Sequence, residues 1–192
     1  MTPWKADPEQ CVVLVVDIQP TFMAAIEDAN RVTRRSEFLL KIAKLVGVPV
    51  LASEQYPDRM GPTDRRITSL LPLGAAPHAK LCFSCGGCGQ LMAALGQLKR
   101  KQVVLVGIET HICITLSALD LLRTGYEVFV CPDAVGARSM EMHKLGMERM
   151  RDSGVMPTHT ETLAYEWLGS ADHVRFREAL EIVKAHAALD RV

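Results

Sequence analysis

The chain has 192 residues, with 22 basic and 22 acidic side chains and a formal net charge of zero. That length suits one domain with a single buried core, and the balanced charge supplies no overall field for phosphate backbones or anionic lipid. Nucleic acid is therefore disfavoured as a partner, and no apolar run approaches membrane-spanning length, so no membrane partner is expected either.

The opening stretch MTPWKADPEQ has no apolar core behind a basic leader and no Arg/Ser-rich amphipathic segment. No presequence is recognisable in it, and a cytoplasmic location is expected, with a mitochondrial one as the alternative. Six apolar segments then read as strands: Cys11–Ile18, Val48–Ser53, Ala79–Phe83, Gln102–Ile108, Glu127–Cys131 and Val155–His159. Several are unbroken β-branched runs, which suits strands of a parallel sheet covered on both faces.

Helical patterns lie between them. Ser36 reads as the N-cap of a helix carrying Phe38, Leu39, Ile42 and Leu45 and closed by Gly47; Cys113–Thr124 has helical spacing and ends at Gly125. Two more helices are predicted at Ser139–Ser153 and Asp172–Leu189, the last burying Phe176, Leu180, Val183 and Ala187. The alternation implies one α/β domain over residues 1–192: a doubly wound, Rossmann-like, mainly parallel six-stranded sheet with helices on both faces.

The stretch AKLCFSCGGCG spaces Cys82, Cys85 and Cys88 as C-x₂-C-x₂-C. An iron–sulfur run of that kind continues to a fourth cysteine and a proline, whereas Cys88 is followed by GQLMAALGQL, and nothing marks the fourth ligand that zinc would need. The histidines, at 78, 111, 143, 159, 173 and 186, form no ligand motif. The expectation is no metal and no cofactor, with small residues around a Gly-rich turn. Cys11 and Cys131 sit in apolar runs as buried free thiols, which fits a reducing compartment.

In a doubly wound sheet ligands bind beyond the carboxyl ends of the strands. Three polar residues fall there: Asp17, Lys80 and Cys113. A thiol at the start of a helix feels the positive end of the dipole and unpaired amides, both of which favour thiolate. Asp17 ends an otherwise apolar strand, where a desolvated carboxylate needs a partner, and Lys80 is the matching cation.

Three blocks, VVDIQPTF (Val15–Phe22), AKLCFS (Ala79–Ser84) and GIETHICITLSALDLLRTGYEV (Gly107–Val128), resemble the isochorismatase-like hydrolase superfamily. With DAVGARS (Asp133–Ser139) and ERMRDSGVMPTHTETLAYEWL, the likeness is greatest to the isochorismatase domain-containing protein subgroup. The resemblance implies an Asp–Lys–Cys triad: Asp17 as general base and acid, Lys80 as charge stabiliser and Cys113 as nucleophile. It also implies a non-proline cis peptide at Ile108–Glu109 that aims the amides of Glu109 and Cys113 at an oxyanion.

Metal-binding nicotinamidases carry Asp-x-His and a further His after strand two, where this chain reads SEQYPDRMGPT (Ser53–Thr63). Isochorismatase proper cleaves an enol ether without a cysteine nucleophile, so Cys113 points instead to an amide-type C–N bond in a small molecule. Gln19, Phe22, Gln55 and Tyr56, which follow strands one and two, are candidate substrate-binding residues. Two alternatives stand beside the hydrolase: a binding or scaffold protein on the same fold, and a ribonuclease, the label some trypanosomatid relatives carry. For the last, Lys99–Arg100–Lys101 is a local basic run. The resemblance further implies a homo-oligomer, and the Met-rich segment Met140–Met156 suits either core or interface.

Overall fold

In β1 (Cys11–Val16) all six side chains are buried, and they alternate between two cores. Cys11, Val13 and Val15 join one, and Val12, Leu14 and Val16 the other. This is the pattern of a strand covered on both faces. The structure, a computed structural model, describes residues 5–189, so the first four residues of the N-terminal stretch lie outside the described residues.

The other strands are β2 (Val50–Gln55), β3 (His78–Lys80), β4 (Gln102–Ile108), β5 (Glu127–Gly136) and β6 (Met156–Pro157). All pair in parallel, in the order β3-β2-β1-β4-β5-β6. The order reverses between β1 and β4, which makes the crevice beyond their carboxyl ends the switch point where such sheets bind ligands. The expected doubly wound α/β architecture is what the chain adopts.

Helices α1 (Pro20–Met23), α2 (Ala29–Val46), α3 (Pro57–Met60) and α4 (Arg65–Thr68) fall in the first half of the chain. They are followed by α5 (Gly89–Gln97), α6 (Thr115–Arg123), α7 (Met140–Asp152), α8 (Thr160–Leu168) and α9 (Phe176–Leu189). Helices α2, α8 and α9 cover one face, while α5, α6 and α7 cover the other. Among the described residues no helix is long and apolar enough to cross a membrane.

Several boundaries differ from expectation. Ser36 caps nothing: α2 starts two turns earlier, where the Asp28 carboxylate accepts the Arg31 N–H, and Ser36 is buried inside it. The apolar stripe reaches back to Val32, so tertiary burial extends a helix that local cap chemistry alone starts too late. Strand β3 stops at Lys80 because the chain turns into the Cys85–Gly87 3₁₀ turn, and β6 is only two residues long. Conversely β5 runs past Pro132, with its pairing to β4 shifted between Leu105 and Gly107. Such a bulge lets the strand carry a residue that cannot donate to the ladder.

Helices α5 and α8 lie where none is predicted. In α9 the inward face is Phe176, Ala179, Ile182, Val183 and His186, so the expected Phe176 and Val183 pack on the core while Ala187 is exposed. The His186 ring meets Phe38 edge-on, with centroids 5.3 Å apart. From the Met-rich segment, Met147 and Met150 enter the core and Met140 stays exposed.

Candidate active site

Each strand end at the crevice delivers one chemical group. Asp17 directly follows β1 with φ +53°, a left-handed conformation that strains a non-glycine residue. Its N–H donates to the Ser53 carbonyl at 3.2 Å, and its own carbonyl accepts the Gln19 N–H at 2.8 Å. The side chain is buried with both oxygens engaged: Ser53 Oγ donates to Oδ1 and Lys80 Nζ to Oδ2, each at 2.7 Å.

The Lys80 side chain is 0% exposed. Its ammonium also donates to Gln55 Oε1 at 2.6 Å and to the carbonyls of Cys82 and Phe83 at 3.3 and 3.2 Å. Burial by itself would lower its pKa, but Asp17 and Cys113 outweigh that and leave it raised, so the lysine is a fixed cation.

Cys113 lies in a π turn, Thr110–Ile114, between β4 and α6. The Ile108–Glu109 peptide just before the turn is cis. Gly107 brings β4 hard against β1: at φ +115° a Cβ there would stand 2.1 Å from the Val16 carbonyl oxygen, so no side chain fits. Thr110 Oγ1 pairs with His143 Nδ1 at 3.0 Å, and Thr115 Oγ1 donates to the Thr110 carbonyl at 2.6 Å, which pins the turn from both sides.

Cys113 and Asp17 line the same cavity, and the Cys113 pKa is pushed up from 9.0 to about 12. Burial is the largest cause and the Asp17 carboxylate the next, while Lys80 pulls the other way. Burial and the carboxylate thus act against the thiolate that a helix start favours, and the thiol needs a base to take its proton. Helix α6 begins only at Thr115, and desolvation of a buried sulfur outweighs the partial charge of a helix end. The thiol rests protonated against a carboxylate.

A cavity of about 130 Å³ opens over this pair. Of the expected residues it brings together Asp17, Cys113, Phe22, Gln55 and Glu109; Phe83, Ile108 and Ile112 complete the wall. Gln19 is not part of it. Its amide accepts from Gln55 N–H at 2.7 Å and donates to the carbonyls of Gln55 and Gly61, so it staples two loops instead. Tyr56 is also outside, on a neighbouring groove with Pro57, Asp58 and Leu81. Its left-handed backbone, φ +46°, turns the chain away from the crevice after Gln55.

Phe83 could have been read from its place three residues after Lys80, and Ile112 from its place beside the thiol. Ser53 shows only as the polar last residue of its predicted strand. Cys82, Cys85 and Cys88 go separate ways: Cys85 Sγ contacts Ser53 Oγ at 3.5 Å, and Cys88 Sγ contacts the Ala79 carbonyl at 3.7 Å. Among the described residues no three His, Cys, Asp or Glu side chains are grouped to hold a metal ion. A larger depression lined by Lys99, Arg100 and Lys101 lies at the opposite, amino-terminal edge of the sheet. There Arg100 is spent on the carbonyls of Pro8 and Cys11.

The sequence pattern described as the isochorismatase domain matches residues 11–162, which span β1 to α8 and every group of the site. The chain belongs to the isochorismatase domain family. Within that family it is 35% identical over 182 residues to isochorismatase domain-containing protein 2A of Mus musculus, covering 92% of this chain and 84% of that one. It is 33% identical to isochorismatase domain-containing protein 1 of Salmo salar, covering 94% of this chain and 63% of that longer protein. Among solved structures, the MAR1 ribonuclease of Caenorhabditis elegans superposes with a TM-score of 0.88 at 28% identity, over 94% of this chain and 92% of that one.

Proposed function

We propose that this isochorismatase-family protein is a metal-independent cysteine hydrolase that cleaves the C–N bond of a small, uncharged amide. The observation that carries the reading is that Cys113 and Asp17 line one mainly apolar cavity, with Asp17 Oδ2 tied to the buried Lys80. Asp17 takes the thiol proton as Sγ bonds to the carbonyl carbon, and the amides of Glu109 and Cys113 receive the oxyanion. Protonated Asp17 then gives that proton to the leaving amine as the C–N bond breaks. It next takes a proton from water, whose oxygen attacks the thioester carbonyl; the C–S bond breaks, the acid leaves, and Asp17 returns the proton to the Cys113 sulfur.

Charge and size support the substrate class. The two carboxylates of the wall are both paired, Asp17 with Lys80 and Glu109 with Arg138, and the four oxygen acceptors around Lys80 leave that cation no free face for an anion. A cavity of this size takes a group about as large as a benzene ring. Six free thiols support a reducing compartment. A homo-oligomer belongs to the same reading, with the exposed Leu81 and Phe83 as apolar surface for it to cover.

The test is ammonia or amine release from a panel of neutral amides such as acetamide, isobutyramide and benzamide, with acid-quenched mass spectrometry to trap an acyl-Cys113 thioester. Asp17→Asn is expected to lose about 10²- to 10⁴-fold of the rate, as for loss of a positioned base, and Cys113→Ala all of it. No release above Cys113→Ala and no adduct would remove the amidase and favour the binding-protein reading. The name of the C. elegans neighbour supports a second reading, metal-independent RNA cleavage, against which stands the zero net charge. RNA cleavage by purified protein, lost on Cys113→Ala, would put that reading first.

A further inference from the structure

Ser53 and Cys85 are fully buried at the active site, yet neither has a part in the chemistry above. Ser53 grips Asp17 twice. Its carbonyl accepts the Asp17 N–H at 3.2 Å and its hydroxyl donates to Oδ1 at 2.7 Å, so one β2 residue holds both the strained backbone and the carboxylate. The hydroxyl in turn accepts from Cys85 Sγ at 3.5 Å, and Cys85 N–H donates to Ser117 Oγ at 2.8 Å.

Direction matters in this chain. A hydroxyl has one proton, and an ionised carboxylate can only accept. With Cys85 donating into Ser53 Oγ, the Ser53 proton is committed to Asp17. The terminal torsion of an aspartate is soft, so a carboxylate held at one oxygen can swivel. Here Lys80 holds Oδ2 and Ser53 holds Oδ1, which locks the carboxylate plane relative to the Cys113 thiol.

We infer that Ser53, oriented by Cys85, is a positioning residue that holds the Asp17 base in register with Cys113. The inference rests on the reading of Asp17 as the base. The titratable and charged groups facing Asp17 are Lys80 from β3, Cys85 from the 3₁₀ turn and Cys113 from the π turn; β2 contributes the neutral Ser53. A serine that merely filled space would leave the thiol's titration unmoved when replaced by alanine.

The experiment follows iodoacetamide alkylation of Cys113 against pH by peptide mass spectrometry. It needs no substrate, and the other five cysteines serve as internal controls. Compared are wild type, Ser53→Ala, Ser53→Thr, Cys85→Ala, Asp17→Asn and the Asp17→Asn/Ser53→Ala pair, each confirmed folded by circular dichroism. Freed from Ser53, the carboxylate loses its alignment with the thiol, so Ser53→Ala shifts the profile to lower pH, the direction of Asp17→Asn. The expected gain is roughly threefold to fivefold in rate at pH 8, the weight of one hydrogen bond.

Ser53→Thr, which keeps the hydroxyl, restores the wild-type profile, and Cys85→Ala gives a smaller shift of the same sign. Adding Ser53→Ala to Asp17→Asn changes nothing further, because Ser53 acts through Asp17. A Ser53→Ala profile that stays put or moves to higher pH, while Asp17→Asn shifts, overturns the positioning role and leaves the base standing. If Asp17→Asn also leaves the profile unmoved, the base reading itself fails.

Discussion

The resting thiol is the sharpest point of contact between this structure and experiment. With its pKa near 12 instead of 9.0, Cys113 is ionised at pH 8 to only about one part in ten thousand, against about one in ten for an ordinary thiol. Direct alkylation is therefore expected to be about a thousandfold slower than for a thiol left at 9.0. Burial is the largest cause here and Asp17 the next, so removing the carboxylate lowers the thiol's pKa without undoing the effect of burial.

Asp17→Asn should thus make Cys113 alkylate several times faster while cutting amide turnover by about 10²- to 10⁴-fold, a pair of opposite effects that simple damage to the site would not produce. Lys80→Met should move the alkylation profile the other way, to higher pH, since it removes the cation that pulls the thiol down. Alkylation as fast as that of an ordinary thiol in wild type, or Asp17→Asn and Lys80→Met profiles moving together, would refute the argument.

Lys80→Met also leaves a buried carboxylate unpaired and should cost about 3–5 kcal/mol in chemical denaturation at neutral pH. Both Lys80 and Cys113 have folded pKa values raised above their unfolded ones. Their contribution to stability is therefore full below about pH 9, and it fades as pH climbs through 9.0 toward 12 for the thiol and past 10.5 for the lysine. Thermal melts should show that alkaline loss, and Cys113→Ala should flatten its thiol portion. Phe38→Ala, which empties a fully buried site between α2 and α9, should lower stability by about 3–5 kcal/mol in urea titrations and leave the Cys113 alkylation profile unchanged. Glu109→Gln breaks the ion pair with Arg138 and leaves that cation unpaired beside the wall, so an anionic amide such as succinamate should gain in kcat/KM relative to benzamide; an unchanged ratio would show that this charge does not select.

The fold, and the gathering of Asp17, Lys80 and Cys113 around one crevice, were legible because each rests on short-range information. Unbroken β-branched runs such as CVVLVV admit little besides a strand covered on both faces, and the parallel architecture follows from alternation with helical segments. Asp17, Lys80 and Cys113 stand out as polar residues at the ends of apolar strands, and strand ends are where this architecture places its ligands. Gln19 and Tyr56 meet the same criterion and lie outside the cavity, because proximity along the chain does not say which way a loop turns.

What the linear order hides is every contact made across it. Ser53 reaches Asp17 over 36 positions, and Cys85 reaches Ser53 over 32; neither serine nor cysteine carries a local mark of that role. The state of Cys113 was hidden for the same reason. Chain position suggests a helix end and a thiolate, whereas packing supplies a desolvated pocket and a facing carboxylate, and over these distances burial and Coulomb terms outweigh the dipole. Residue types thus announce which groups are available for chemistry, and the packed structure decides their orientation, protonation and neighbours.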